Sequence, residues 1–129
     1  MPISPYTLGA IDPHDPSNWM TCENAYIIAT NFGPGYMPGF VFTEHDPFFF
    51  LDIDKCLQSD GQWSPIAQEM LNRFRGAYIE VSQSGNGLHI IGSYEGRLPP
   101  HRCKNKEYGM ELYTEKRFVA LTVNMMASQ

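Results

Sequence analysis

Charge is scarce in this chain: acidic and basic side chains make up 18% of its 129 residues, below the ~25% usual in soluble domains. Apolar residues reach 43%, so a solvated, disordered tether is excluded and a buried core is expected. Long apolar runs are missing too. No stretch approaches the ~18 residues of a helical membrane span, and the opening MPISPYTLGAIDPHDP has neither a charged nor an apolar leader segment. A non-membrane, cytoplasmic protein is expected. Cysteine is sparse and unpaired: Cys22, Cys56 and Cys103 are odd in number and form no CxxC, which fits a reducing compartment better than a disulfide scaffold. His101 and Cys103 have no second pair at ligand spacing, so structural zinc is not expected. The length accommodates one core, and residues 1–129 are read as a single domain.

Basic residues are few, nine Lys+Arg against fourteen Asp+Glu for a net charge of −5, which argues against strong nonspecific nucleic-acid binding. The imbalance is uneven along the chain. Residues 1–96 hold three basic and eleven acidic side chains, whereas residues 97–129 hold six basic and three acidic. The basic stretch around Arg97, Arg102, Lys104 and Lys106 reads either as a solvated loop or as a phosphate-attracting one.

Four prolines in the first sixteen residues, with Gly9, make an extended lead-in. Ser17 is expected to cap a helix carrying Trp19, Met20, Ala25, Ile28 and Ala29 and ending near Asn31 and Gly33. FVFTEHDPFFFLDID (40–54) reads as a hairpin of buried strands about the turn at His45-Asp46-Pro47. Ser64-Pro65 starts a second helix, with Ile66, Ala67, Met70, Leu71 and Phe74 at helical spacing until Gly76. AYIEVS (77–82) and LHIIGSY (88–94) form another hairpin around a glycine turn. A polar loop (95–106) precedes two short strands, GMELYT and RFVALTV, around Glu115-Lys116. This order predicts an α+β fold, a largely antiparallel or mixed sheet covered by flanking helices.

Three segments can carry chemistry. In Asp52-Ile53-Asp54 the alternation of a strand puts both carboxylates on one face, where they repel unless a cation such as Mg²⁺ or Mn²⁺ sits between them; the plainer reading is a hydrated strand end. In Ser82-Gln83-Ser84-Gly85-Asn86-Gly87-Leu88-His89, Gly85 and Gly87 permit close backbone approach. The hydroxyls of Ser82 and Ser84, the turn amides and His89 then make a candidate phosphate cradle; the plainer reading is an ordinary hairpin turn. Glu111, between Met110 and Leu112, either points inward, which requires a partner or metal, or simply faces solvent. Phe48, Phe49, Phe50, Tyr26 and Trp19 are expected in the core rather than stacked on bases. Cys56 is read as an ordinary small residue beside the carboxylates, and Tyr78, Tyr94 and Tyr113 stay open.

In order, apolar-D-x-D, S-x-S-G-x-G-x-H and apolar-E before RFVALT, the chain resembles the archaeo-eukaryotic primase superfamily. It is most similar to the bifunctional primase-polymerase domains of phage, plasmid and mobile-element replication proteins, over about residues 13–124. GFVFTEHDPFFFLDIDKC, DGQWSPIAQEMLNRF, YIEVSQSGNGLHI and MELYTEKRFVALT carry the likeness. It departs from that pattern where the chain opens directly at Met1-Pro2-Ile3, where Leu51 replaces a glycine before D-x-D, and where Thr122 is followed by Val123 instead of glycine. An excised or minimal catalytic domain, or a degenerate relative, is therefore expected.

The resemblance implies a primase-polymerase architecture with an RRM-like catalytic core, and a nucleotidyltransferase in which a primer 3′-hydroxyl attacks the α-phosphate of a nucleoside triphosphate. It assigns Asp52, Asp54 and Glu111 to two Mg²⁺ or Mn²⁺ ions. Ser82, Ser84, Gly85, Gly87 and His89 would hold the nucleotide, and Arg97, Lys104, Lys106 or Arg117 would steer it or the template. The implied partners are nucleoside triphosphates, a single-stranded DNA template or primer and, in the full-length context, a helicase. A catalytically inactive nucleotide- or single-strand-binding module and a metal-dependent nuclease are the competing readings. A rolling-circle initiator nuclease is not expected, because it needs paired histidines and this chain has no H-x-H.

Overall fold

The computed structural model of the protein describes residues 2–4, 6–96 and 103–124. Arg97, His101 and Arg102, named above for steering or metal ligation, lie outside the described residues. The fold is built around β2 (Phe48–Ile53), whose sequence FFFLDI is apolar on both faces for most of its length. Such a strand needs cover on both sides, and it has neighbours on both edges as well. It is the middle strand of a five-stranded sheet ordered β3-β4-β2-β6-β5, with β3 (Tyr78–Val81), β4 (Leu88–Ser93), β5 (Lys104–Asn105) and β6 (Met110–Tyr113), antiparallel at every pairing.

One face of this sheet carries Leu51, Ile53, Ile79, Leu88 and Ile90 against Ala67 and Leu71 of helix α2 (Pro65–Arg73). That helix starts where the sequence indicates: Ser64 accepts the amide of Ala67 and Pro65 occupies the first turn. The opposite face carries Phe50, covered by a separate two-stranded ribbon of β1 (Gly39–Phe42) and β7 (Arg117–Ala120) through Phe42 and Val119. The architecture is thus α+β in three layers: helix, sheet and ribbon.

Several expectations are corrected. β1 and β2 do not form a hairpin; β1 pairs with β7, and its Phe42 ring stacks on Phe50 from above, centroids 5.6 Å apart. Both edges of β2 are taken by β4 and β6, so the short Thr43–Asp46 turn, closed by the Asp46 amide on the Thr43 carbonyl at 3.2 Å, carries the chain between layers instead. The first helix, α1, spans Cys22–Phe32 and is capped by Thr21, not Ser17. Ser17 lies in a 3₁₀ turn, Pro16–Asn18, capped by Asp15, and Trp19 leaves that turn with its indole bonded to the Pro13 carbonyl. Trp19, Tyr26 and Phe48 are exposed where core was expected, while Phe50 is fully buried and Phe49 partly. α1 buries Ala29 but leaves Tyr26, Ile27 and Phe32 exposed, so the ribbon does the covering assigned to a second helix. The segment 95–106, read as loop, contributes β5.

After β7 the chain runs along the outer edge of β3. The Val81 amide donates to the Asn124 carbonyl at 2.9 Å, and the Thr122 hydroxyl to the Val81 carbonyl at 2.6 Å, so the edge strand is closed off. Val123 makes this crossing at φ +57°, a left-handed conformation that a β-branched residue adopts only under strain, at a cost of about 1–2 kcal/mol. Val123→Gly is therefore expected to stabilise the protein by about 1 kcal/mol, net of glycine's greater entropy when unfolded, seen as a higher urea midpoint at unchanged slope. A lower midpoint would contradict this backbone geometry.

Candidate active site

Antiparallel register aligns one charged residue from each strand of the large sheet into a single row. Glu80 of β3 is paired with His89 of β4, His89 with Asp52 of β2, Asp52 with Glu111 of β6, and Glu111 with Lys104 of β5. Directly paired residues share a face. This row lies on the ribbon face, beside Phe50, because Leu51, Ile53, Ile79 and Leu88 occupy the other. Positions 37 and 59 residues apart in sequence, His89 and Glu111 against Asp52, are thereby neighbours.

The row has a fixed end and an open end. Glu80 is 0% exposed and accepts four hydrogen bonds: Tyr78 hydroxyl at 2.8 Å, His89 Nδ1 at 2.7 Å, and the amides of Thr122 and Val123 at 3.0 and 3.3 Å. Burial alone would raise its pKa, but the bonds from His89, the Thr122 amide and Tyr78 outweigh burial and lower it. A carboxylate can only accept, so Nδ1 of His89 carries the proton and Nε2 points along the row, 3.8 Å from Asp52 Oδ1. Nε2 donates to an anion only as imidazolium; in the neutral ring it offers a lone pair. The ring is further fixed by its edge-on contact with Phe50, centroids 5.1 Å apart. Glu80 is the residue that sequence reasoning missed. Its pattern, a carboxylate between Ile79 and Val81, is the one that singled out Glu111, so the signal was present.

Asp52 is the strained member. Its side chain is 13% exposed, and its pKa is pushed up to about 6, first by burial and then by the negative charges of Asp54 and Glu111, against the opposing pull of His89 and Arg117. Its Oδ1 has no hydrogen-bond partner. Asp54 lies just past the end of β2, two positions on and exposed, its amide held by the Gly109 carbonyl at 2.9 Å. Glu111 is held by cations, Lys104 at 3.5 Å and Arg117 at 3.6 Å. Arg117 also stacks over the Tyr113 ring at 4.5 Å, yet its Nε is buried without a partner.

The glycine turn stands at the same end of the sheet as Asp54: the amides of Cys56 and Leu57 both donate to the Asn86 carbonyl. Its own donors are engaged within the turn. The Gly85 amide bonds the Ser82 carbonyl, the Gly87 amide bonds Ser82 Oγ at 3.0 Å, and Ser84 Oγ bonds Ser82 Oγ and Asn86 Oδ1. A Cβ on Gly87 would lie 2.9 Å from Ser82 Oγ and 3.0 Å from the Ile53 carbonyl, so glycine is required there by close approach. The structure therefore gathers Asp52, His89 and Glu111 in one row, with Asp54 and the turn of Ser82, Ser84, Gly85 and Gly87 at its margin. Cys56 is buried beneath them, its thiol pushed up to about 11 chiefly by that burial.

For a divalent cation the donor chemistry fits: hard carboxylate oxygens, one of them buried and unpartnered. Among the described residues, however, no three His, Cys, Asp or Glu side chains stand close enough to hold one ion between them. Glu111 would have to leave Lys104 and Arg117 to join Asp52 and Asp54.

Set beside known proteins, the sequence matches no family model. It is related to a viral enzyme of the primase-polymerase class. That relative is the DNA primase-polymerase of Nitratiruptor phage NrS-1, to which the chain is 30% identical over 130 aligned positions, covering 95% of this chain and 17% of the phage protein. The chain thus corresponds to about a sixth of its relative's length. Among the described residues no helix is long and apolar enough to cross a membrane.

The raised pKa of Asp52 has a definite sign. Between the ordinary carboxylate value of 3.8 and about 6 the folded chain keeps a proton that the unfolded chain releases, so stability falls as pH rises through that window, by on the order of 3 kcal/mol. Glu80 acts oppositely, its contribution being lost as pH falls below the usual carboxylate range. Asp52→Asn should therefore melt higher than the wild type at about pH 7.5 with chelator present and lose the decline between about pH 4 and 6. Equal melting temperatures throughout would mean that Asp52 is not buried among like charges.

Proposed function

We propose that this chain is the catalytic region of a primase-polymerase: a nucleotidyltransferase that adds nucleotides to a primer on a single-stranded DNA template in phage, plasmid or mobile-element replication. One observation carries the reading. The two buried side-chain polar atoms without partners among the described residues are Asp52 Oδ1, an anion's oxygen, and Arg117 Nε, a cation's donor, and both border the same row. Buried polar atoms are normally satisfied. An orphaned acceptor and an orphaned donor of opposite charge match a ligand that is itself half cation and half anion, as a metal-bound triphosphate is. The sequence relationship to a phage DNA primase-polymerase supports the same conclusion.

In this reading Asp52 and Asp54, joined by Glu111, would hold Mg²⁺ or Mn²⁺. Such ions supply activation of the primer hydroxyl and neutralisation of the departing pyrophosphate. Arg117, released from Glu111, turns its guanidinium to a phosphate. His89, held by Glu80 with Nε2 outward, donates to a phosphate oxygen as imidazolium. Ser82 and Ser84 offer hydroxyls at the margin of the triphosphate, while Gly85 and Gly87 allow the tight turn that presents them. The α+β core serves as a rigid mount, since His89, Asp52 and Glu111 stand on strands rather than on loops.

Primer-extension and de novo priming assays with Mn²⁺ or Mg²⁺ test this directly. Extension by the wild type is expected; Asp54→Asn should abolish it while sparing part of the nucleotide affinity, and His89→Ala should weaken nucleotide binding by about 1–3 kcal/mol. Metal-dependent nucleotide binding with no synthesis would reduce the chain to a binding module. The absence of both binding and synthesis would overturn the assignment.

A further inference from the structure

Away from the carboxylate row, an open groove of about 550 Å³ lies where the end of α2 meets the opposite end of the sheet. That volume is within the range of ligand sites, ~300–1,000 Å³. Arg73, Phe74 and Arg75 from the end of α2, Tyr78 from β3 and Phe48 from β2 line it. The charge is not incidental. The first 96 residues contain only three basic side chains, Lys55, Arg73 and Arg75, and two of them meet at this groove in the strongly acidic part of the chain. Neither is firmly neutralised: Arg73 touches Glu69 at 3.1 Å in an i,i+4 pair whose side chains are both solvent-exposed, so the contact is weak. Arg75 bonds the neutral Asn72 carbonyl oxygen and makes no ion pair among the described residues.

The aromatic side is equally unfinished. Phe48 is 37% exposed at the very start of a strand whose remaining apolar residues are covered. Its ring stands on the ribbon face, edge-on to Phe40 at 6.2 Å, while the neighbouring Phe49 turns to the α2 face, against Phe74 and over Gly92, where a Cβ would lie 2.5 Å from its ring. Two solvent-accessible guanidinium groups and a part-exposed phenyl ring lining one groove match a ligand that alternates anionic and flat aromatic units, which is the chemistry of an unpaired nucleic-acid strand.

We propose that this groove is a docking site for single-stranded nucleic acid, Arg73 and Arg75 taking backbone phosphates and Phe48 stacking on a base. Tyr78 joins it to the carboxylate row: it lines the groove, its hydroxyl donates to Glu80, and it is two residues from Glu80 on β3, about 7 Å at the rise of a strand. A strand lying here is led towards the row from the side away from the glycine turn. The inference rests on the primase-polymerase reading, to whose single-stranded template it gives a place, but docking requires neither metal nor nucleotide and is therefore measured separately from nucleotidyl transfer.

The test is fluorescence anisotropy of a labelled short oligothymidylate with the whole chain in chelator, across a salt series beginning near ~50 mM. Binding by the wild type is expected. The double change Arg73→Gln with Arg75→Gln should weaken it about tenfold or more and lower the slope of log affinity against log salt by about 1.4, the value for two phosphates of a single strand. Phe48→Ala should weaken binding about tenfold with the slope unchanged. Lysines at both arginine positions should restore most of the affinity, which a folding defect would not allow. The proposal is overturned if the wild type does not bind, if the arginine and Phe48 variants bind within about twofold of it, or if polyglutamate displaces the oligonucleotide as well as unlabelled oligothymidylate does, which would mark a general polyanion surface. Loss of binding through Arg117→Gln rather than through these changes would move the site to the carboxylate row and equally overturn it.

Discussion

The arrangement of the candidate site depends on the register of β2 against its two neighbours. Because Asp52 pairs with His89 on one side and Glu111 on the other, three ionisable groups from distant parts of the chain meet without any loop having to position them. The register is itself held by burial: Leu51 and Ile53 face α2, and Phe50 faces the ribbon. A slip by one residue would put Asp52 into the α2 core and Leu51 among the charges. The hydrophobic layers on both sides therefore specify the site as firmly as they specify the fold.

Around that register the polar groups divide into satisfied and unsatisfied. Glu80 is saturated by four donors, two of them backbone amides more than forty residues away in sequence, so the crossing after β7 and the orientation of His89 are parts of one network. Asp52 and Arg117, at the other end, keep atoms without partners. A buried carboxylate with a raised pKa beside two further carboxylates lowers the stability of the folded chain at neutral pH, and such cost is concentrated where groups are arranged for a ligand rather than for each other.

Local signals in the sequence proved sound where the determinants are local. Ser64-Pro65 marks α2, and the glycine turn marks the β3–β4 hairpin. The errors occur where a distant partner decides. FVF and FFFLDI look like the two arms of a hairpin because both are apolar and a turn lies between them, yet β1 finds its partner in β7, almost eighty residues on. Ser17 is an acceptable cap, but Asp15 and Thr21 divide the segment into a short 3₁₀ turn and a later helix. Glu80 stands between Ile79 and Val81 as Glu111 stands between Met110 and Leu112, so its pattern was open to the same reading, whereas the Thr122 and Val123 amides that hold it come from the far end of the chain and lie beyond any local pattern. At the site, residue types and spacing marked Asp52, His89 and Glu111, whereas the cations on Glu111 and the internal bonding of the glycine turn are visible only in three dimensions.

The central claim is that the row is where a divalent cation and a nucleotide come together. Paramagnetic line broadening of backbone amides by substoichiometric Mn²⁺, with and without nucleoside triphosphate, addresses it at residue resolution. The account requires the first losses of signal at Asp52, Ile53 and Asp54, at His89 and from Gly109 to Glu111, growing stronger with nucleotide and absent in Asp52→Asn. Broadening that begins elsewhere, such as at the exposed carboxylate of Glu44, or that ignores both the nucleotide and Asp52→Asn, would contradict it.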